Sequence, residues 1–475
     1  MKLASFLAGL GLATLFVTAQ AQAATKPNIL VIVGDDMGYH DTGPYGCTEI
    51  PTPHLDSLAK NGVQCTSGYV SGPYCSPTRA GLMTGKYQTR FGHEFNPGPP
   101  GQANNDAKGL DPKQTTLADR LKAAGYKTGM VGKWHLGNTP ELHPMSRGFD
   151  EYFGFLGGAY TYFPNQPEGK NDQVLRGREL SGEREYLTDA FAREAVAFIG
   201  RHEKEPFFLY LTFNAVHSPM EATEKYLSRF PNVADPKRRA YCAMMSAMDD
   251  AIGTVLDKLK SAGVEENTLI FFVSDNGGPQ ASNGSDNTPL RGDKATTWEG
   301  GVRVPYLVQW KGKLPAGVKY EQPVIQIDFL PTALAAAGAP VSPGDALDGV
   351  NLLPYLSGEN KAAPHAALYW RFGTQMAIRQ GDWKLVRART APGRGQQNSP
   401  VDLGLYNLAS DIGEQKNLAA EQPEKVKELQ AAWDEWDKGN VAASWVREEV
   451  RKPAAAGKKP GAKKAGAKKK AAAAK

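Results

Sequence analysis

The chain has 475 residues, 41% of them hydrophobic and 22% charged, the balance of a globular protein with a large core. That excludes wholesale disorder, a disulfide-stapled miniature domain and a polytopic membrane protein. The formal charge of +5 misleads, because the last 25 residues, from Arg451, carry ten Lys and Arg and no acid, which leaves −5 on everything before them.

The chain opens on Met1-Lys2, an apolar run from Leu3 to Val17 and the Ala-x-Ala text Ala19 to Ala23. A short positive end, an apolar stretch too short to span a bilayer comfortably and a small-residue cleavage site predict a secretory signal peptide over residues 1–23 rather than an anchor helix. The expectation is an exported protein, periplasmic or secreted, with no transmembrane anchor after cleavage. Export permits disulfides, yet with Cys75 set aside for chemistry only Cys47, Cys65 and Cys242 remain, enough for one bridge at most.

Asn28 to Val33 (NILVIV) reads as a strand buried on both faces, ending in Gly34-Asp35-Asp36. Gly129 to Val131 lies in a shorter strand, Pro206 to Phe213 (PFFLYLTF) forms another, and Leu269 to Val273 (LIFFV) runs into Ser274-Asp275-Asn276-Gly277-Gly278. Between them, Leu117, Leu121 and Ala124 mark one helical face closed by Gly125, and Met245, Met248, Ile252, Val255 and Leu259 mark another closed by Gly263. This alternation predicts an α/β fold, a large mixed, mostly parallel sheet sandwiched by helices. Beyond about residue 360 come short strands at Ala367–Trp370, Met376–Arg379 and Trp383–Arg387, then a helix from Pro423, so a smaller antiparallel sheet plus helix is expected. The resulting division is 24–362 for a catalytic domain, 363–447 for a C-terminal α+β domain and 448–475 for a disordered Lys/Ala-rich tail.

In open α/β sheets ligands bind beyond the carboxyl ends of the strands, so the polar residues just after each strand are the first candidates. Asp35, Asp36, Asp275 and Asn276 form an oxygen-only donor set, suited to a hard divalent cation such as Ca²⁺ or Mg²⁺ and poorly matched to Zn²⁺. Either acidic pair taken alone is equally a turn or capping device. After Val131 comes Gly132-Lys133-Trp134-His135, where Lys133 and His135 leave one face of an extended segment and can converge on an anion. His217 follows the PFFLYLTF strand; His40, His54, His143, His202 and His365 lack such company and read as surface or packing residues. The most specific text is Cys75-Ser76-Pro77-Thr78-Arg79, then Ala80-Gly81-Leu82-Met83-Thr84-Gly85. Pro77 fits the first turn of a helix, which puts Cys75 at the positive end, where a thiol is acidified, and Arg79 one turn on. A cysteine nucleophile with His135 or His217 as base is one reading, but it leaves the carboxylates without a task.

Cys75-x-Pro77-x-Arg79 with Leu-Met-Thr-Gly resembles the formylglycine signature of the type I sulfatases, in the alkaline phosphatase superfamily. NILVIVGDDMG, GKWHLG (132–137), VHSP, SDNGG and LRGDKATTWEGGVRVP (290–305) resemble that family's further blocks in their order, over about residues 26 to 440. The resemblance implies that a formylglycine-generating maturation enzyme converts Cys75 to Cα-formylglycine, whose hydrate is the nucleophile. It also implies one divalent cation, Ca²⁺ ahead of Mg²⁺, held by Asp35, Asp36, Asp275, Asn276 and position 75. Arg79 and Lys133 would hold the hydrate, His135 would accept a proton from it, His217 would serve the leaving group, and Lys133 and Lys294 would bind sulfate. Arg291, Glu299, Gly300 and Gly301 would shape the loop around Lys294. Arg90, His93 and Glu94 either line the substrate pocket, with His93 as a substrate contact, or belong to the surface of a long loop; the stretch from Tyr152 to Arg178 is another place for substrate selection.

The expected activity is hydrolysis of sulfate esters, carbohydrate O-sulfates foremost and aryl sulfates besides. A phosphohydrolase of the same superfamily and a non-catalytic sulfated-glycan binder are the rivals. The basic tail is either a solvated end or an attraction for polyanions, and an exported chain without a binding module gives no reason to expect nucleic acid.

Overall fold

The computed structural model describes residues 26–98, 107–164, 174–389 and 400–445; the signal peptide and the basic tail expected from the sequence lie outside them. Ten strands form one sheet in the order Val318–Tyr320, Val63–Cys65, Tyr306–Gln309, Thr268–Ser274, Asn28–Gly34, Phe207–Thr212, Lys127–Lys133, Glu151–Phe155, Leu175–Arg176 and Glu179–Leu180. The central five, from Thr268–Ser274 to Glu151–Phe155, are mutually parallel, and antiparallel pairings flank them on both sides. The strand expected to be short at Gly129 runs seven residues, Lys127–Lys133, because Thr128 and Gly132 pair with Phe208 and Thr212 although they carry little apolar signal.

Aliphatic runs without alternation are what a sheet covered on both faces requires. In Asn28–Gly34, Leu30 and Ile32 pack into one core cluster while Ile29, Val31 and Val33 pack into the other. The first cluster is closed by the helices Leu187–His202 and Pro236–Ser261, the second by Cys75–Thr84, Leu117–Ala123 and Phe329–Ala336. Pro236–Ser261 starts where the Asp235 side chain accepts from Lys237 N at 3.1 Å, and its methionine stripe is core packing. Among the described residues, no helix is long and apolar enough to cross a membrane.

The C-terminal sheet pairs Leu368–Phe372, Gln375–Gln380, Trp383–Arg389 and Val401–Asn407 as an antiparallel meander backed by the helix Pro423–Asp437. Its fourth strand escaped the sequence reading, since Asp402 and Gly404 interrupt the apolar pattern. Trp370, Ala377 and Val386 share a core with Tyr69, Trp298 and Ile327, so this sheet packs directly on the segments that carry the site. At the junction, His365 Nε2 lies 3.0 Å from both oxygens of buried Asp328. Burial pulls the imidazole pKa down, but the Asp328 charge outweighs it and holds the pKa above its ordinary 6.5. A raised pKa gives stability that is complete below the unfolded value and lost as pH rises through the folded one. His365→Gln is therefore expected to flatten the fall in melting temperature on the alkaline side of pH 6.5; thermal scans of both proteins across pH check this.

Candidate active site

The parallel register places the carboxyl ends of the central strands side by side: Val33 and Gly132 both pair with Thr212, and Gly34 pairs with Ser274. Four loops therefore open on one edge. Asp35 N donates to Ala215 O and Val216 N to Asp35 O, at 2.8 and 2.7 Å, which stitches two of them together. Asp36, His135 and Ala295 all take positive φ without being glycine, at 62°, 59° and 69°, a costly conformation that the surrounding contacts must hold in place.

Cys75 is the first residue of the helix Cys75–Thr84, as expected from Pro77, and is fully buried. Its thiol is not acidified. Burial dominates the attraction of Lys133 and Lys294 and pushes it up to about 12, so an unmodified Cys75 is protonated at neutral pH and is a poor nucleophile.

Around it, three carboxylates face three cationic side chains, each 3% exposed or less. Lys294 Nζ lies 3.0 Å from Cys75 Sγ and also holds Asp36 Oδ1; Lys133 Nζ holds Asp35 Oδ2. Arg79 donates to Asp275 Oδ2 from Nε at 3.0 Å and Nη2 at 2.8 Å, and from Nη1 to the Lys133 carbonyl at 3.1 Å. Burial pushes the Asp36 carboxyl up, but Lys294 above all brings it below the ordinary carboxylate range. Asp275 goes the other way: burial and repulsion from Asp35 raise it in spite of Arg79. Asp35, Asp36, Cys75 and His217 each offer a ligand atom, and these atoms lie within 4.8 Å of one another. Asn276 donates from Nδ2 to Asp36 Oδ1 at 2.7 Å, while its buried Oδ1 has no hydrogen-bond partner. Crowded carboxylates and an orphaned amide oxygen fit a hard divalent cation. His217 falls inside the same cluster of ligand atoms, a proximity to the carboxylates that the sequence reading had not counted.

Lys133 and His135 do converge, but not as two positions of an extended segment: the positive φ of His135 turns the chain after the strand. His135 is held neutral, first by burial and then by the charges of Lys133 and Arg79. His217 donates Nδ1–H to Ser218 O at 2.6 Å and so turns Nε2 to the site, 3.6 Å from Asp36 Oδ2; burial brings its pKa down to about 3. His93, expected as a substrate contact, is 1% exposed behind the start of the Cys75 helix, with Nε2 2.7 Å from Ser76 Oγ. Arg90 pairs with Asp348, and Glu94 with Arg371 of the strand Leu368–Phe372, so Glu94 fastens that segment to the C-terminal sheet.

Sequence reasoning missed three supporting groups. Ser76 Oγ donates to His135 O at 2.6 Å, Tyr162 OH lies 2.5 and 2.9 Å from the carbonyls of Asn214 and His217, and Asn283 Nδ2 donates to Asp36 O at 2.9 Å. Each acts on backbone, which leaves no signature in residue spacing. Gly158 is another: a Cβ there would stand 2.4 Å from His135 Nε2. Gly158→Ala is expected to push the imidazole aside and lower kcat about 10–100-fold while the melting temperature holds, which steady-state kinetics beside a thermal scan will show.

Comparison with known proteins gives the family and the fold. A family model described as Sulfatase matches residues 27–339, and one described as N-sulphoglucosamine sulphohydrolase, C-terminal, matches residues 292–435. Homo sapiens N-acetylgalactosamine-6-sulfatase is 36% identical over 385 residues, spanning 76% of this chain and 72% of that protein. Mus musculus arylsulfatase J is 31% identical over 485 residues, spanning 91% of this chain and 79% of its own. Among solved structures, Ps i-CgsB in complex with k-i-k-neocarrahexaose has a TM-score of 0.83 at 36% identity, covering 90% of this chain and 96% of that one. A phosphonate monoester hydrolase from Silicibacter pomeroyi shares the fold alone, at TM-score 0.64 and 19% identity over 88% of this chain and 96% of its own. A buried cysteine at a helix start amid carboxylates and cations, on a sheet matched along most of its length, identifies the chain as a member of the sulfatase family of the alkaline phosphatase superfamily and thus as a sulfuric ester hydrolase.

Proposed function

We propose that the protein is an exported sulfatase that cleaves sulfate esters of carbohydrates, with Cys75 converted by a maturation enzyme to Cα-formylglycine. The observation that carries this reading is the placement of Cys75: a thiol pushed up to about 12 is wasted as a thiolate nucleophile, yet Lys294, Asp35 and the carboxylate cluster converge on its side chain. The two relatives' names support the substrate class, since one acts on N-acetylgalactosamine-6-sulfate and the other is bound to an oligosaccharide. A two-metal phosphohydrolase site with several histidine ligands is not favoured, because His217 is the single histidine in the ligand cluster among the described residues.

A hydrated formylglycine carries two hydroxyls on one carbon. One, once deprotonated, would take the sulfuryl group as the protonated alcohol leaves; the other would give its proton to His135 and expel sulfate, and water would rehydrate the aldehyde. Asp35, Asp36, Asp275 and Asn276 would hold a divalent cation, which would supply Lewis acidity to this chemistry. Arg79, Lys133 and Lys294 bind and offset the charge of the sulfuryl group in a site closed to water. His135, neutral at rest, is the base for the second hydroxyl. His217, also neutral at rest, takes up its proton with the anionic ester and passes it to the leaving oxygen.

Two measurements test this reading. Fragment-ion mass spectrometry of the tryptic peptide 61–79, which carries Cys65 as well as Cys75, from protein made in its native host, is expected to show the aldehyde or its hydrate at position 75; an intact thiol at position 75 overturns the proposal. His217→Ala is expected to slow sugar sulfates by about 10²–10⁴-fold and activated aryl sulfates much less. Equal losses on both substrates would remove His217 from the leaving-group side.

A further inference from the structure

The loop that delivers Lys294 is gripped from outside the catalytic sheet. It runs from Leu290 into the short helix Glu299–Val302, and the fully buried Glu299 opens that helix. Lys384, from the C-terminal strand Trp383–Arg389, places Nζ 2.8 Å from Glu299 Oε1 and 3.0 Å from Glu414 Oε1, with all three side chains shut off from solvent. Glu414 Oε2 accepts from Glu299 N at 2.7 Å, and the Glu414 carbonyl accepts from Arg291 Nη1 at 3.0 Å. Tyr69 and Arg303 reach the other Glu299 oxygen at 2.6 and 3.2 Å.

From this cluster the loop is tied to the site at two points. Ala295 N donates to Pro73 O at 2.8 Å, two residues before Cys75, and Gly277 N donates to Gly301 O at 3.1 Å, beside Asn276. Gly300 N donates to Arg291 O at 2.7 Å and closes the loop on itself. A buried ion pair adds little stability over an apolar filling of the same volume, so what this cluster contributes is geometry.

We propose that Lys384 and Glu414, supplied by the C-terminal sheet and the loop after it, clamp Glu299 and thereby set the position of Lys294, which makes them positioning residues for sulfuryl binding. The inference rests on Lys294 being a sulfate-binding group. Lys294 stands 3.0 Å from Cys75 Sγ on a loop tied to the C-terminal sheet by neutral bonds, Gln375 Nε2 to Ala295 O at 2.9 Å and Trp298 Nε1 to Arg389 O at 2.8 Å, and by this one charged cluster, so loosening the clamp shifts the ammonium while the neutral bonds keep the loop folded.

The test is a cycle in matured full-length enzyme: wild type, K294A, K384M/E414Q and the triple variant, each assayed for the inhibition constant of inorganic sulfate and for kcat and KM on a sulfate ester. K384M/E414Q removes the ammonium together with one of the two carboxyl groups it faces, and Glu299 keeps Arg303 at 3.2 Å, so no buried charge is stranded. It is expected to weaken sulfate inhibition about 10-fold and to raise KM more than it lowers kcat, as loss of a supporting shell does. In the K294A background the same pair of changes should add less than about twofold, because both act through one ammonium. Equal losses in the two backgrounds, or no loss in wild type, overturn the clamp while leaving the Lys294 assignment intact. Unchanged sulfate inhibition in K294A overturns the assignment and the clamp with it. Should K384M/E414Q not fold, the near-isosteric E414Q alone is expected to shift the inhibition constant in the same direction, and an unchanged constant counts against the clamp.

Discussion

Cys75→Ser is expected to abolish turnover, with a loss in kcat on the order of 10⁶-fold, as for deletion of any nucleophile. The residue change is a single atom, and Ser fits the buried helix start without repacking, so folding and melting temperature should match wild type. The chemistry explains the size of the loss. A serine hydroxyl beside Lys294 and Asp35 can still meet sulfur, but a sulfate ester on an ordinary CH₂ group has no second hydroxyl to expel it. The outcome is either no reaction or one stoichiometric sulfation of the protein, visible by intact mass, and multiple turnover by the variant would sink the gem-diol mechanism. The same logic applies to unconverted enzyme: with its thiol pushed up to about 12, protein made without a maturation enzyme should be inactive, not slow.

What the sequence disclosed and what it hid follow from the range of the interactions. Strand runs such as Asn28–Gly34 and Thr268–Ser274 are legible because double-faced burial demands an unbroken aliphatic text, and the residues just beyond them inherit the site from topology. The Cys75 helix is legible from Pro77 alone. The state of its thiol is not: the helix end predicts acidification, but burial, which depends on what closes over the residue, raises the pKa instead. His93 reads as a pocket residue by proximity in sequence, whereas in the fold it supports Ser76 from behind. The grip of Lys384 on Glu299 spans 85 residues and two sheets, and nothing in either segment's own pattern announces it.

Removing divalent cations from the matured enzyme should cost on the order of 10³-fold or more in activity, the several kcal/mol that a Lewis acid contributes to a transferring group, and readdition should restore it. The argument is electrostatic. Asp35, Asp36 and Asp275 share one buried space, and Asp275 is held above the ordinary carboxylate range by burial and by Asp35 although Arg79 lies 2.8 Å away. A cation that relieves this repulsion binds the folded state and not the unfolded chain, so it must also stabilise: at a concentration of about 100 times Kd the gain is about 2.7 kcal/mol. Thermal unfolding with increasing Ca²⁺ or Mg²⁺ reads that gain without any turnover, and the ion giving it at the lower concentration is the one the site prefers. Protons compete for a carboxylate whose pKa is raised, so the gain should shrink as pH falls. Asp36→Asn removes one ligand charge and should abolish most of the gain, whereas K294A, which removes no oxygen ligand, should keep it while losing sulfate binding. A full gain in Asp36→Asn would place the cation elsewhere and leave the carboxylate cluster as the counter-charge of Arg79, Lys133 and Lys294.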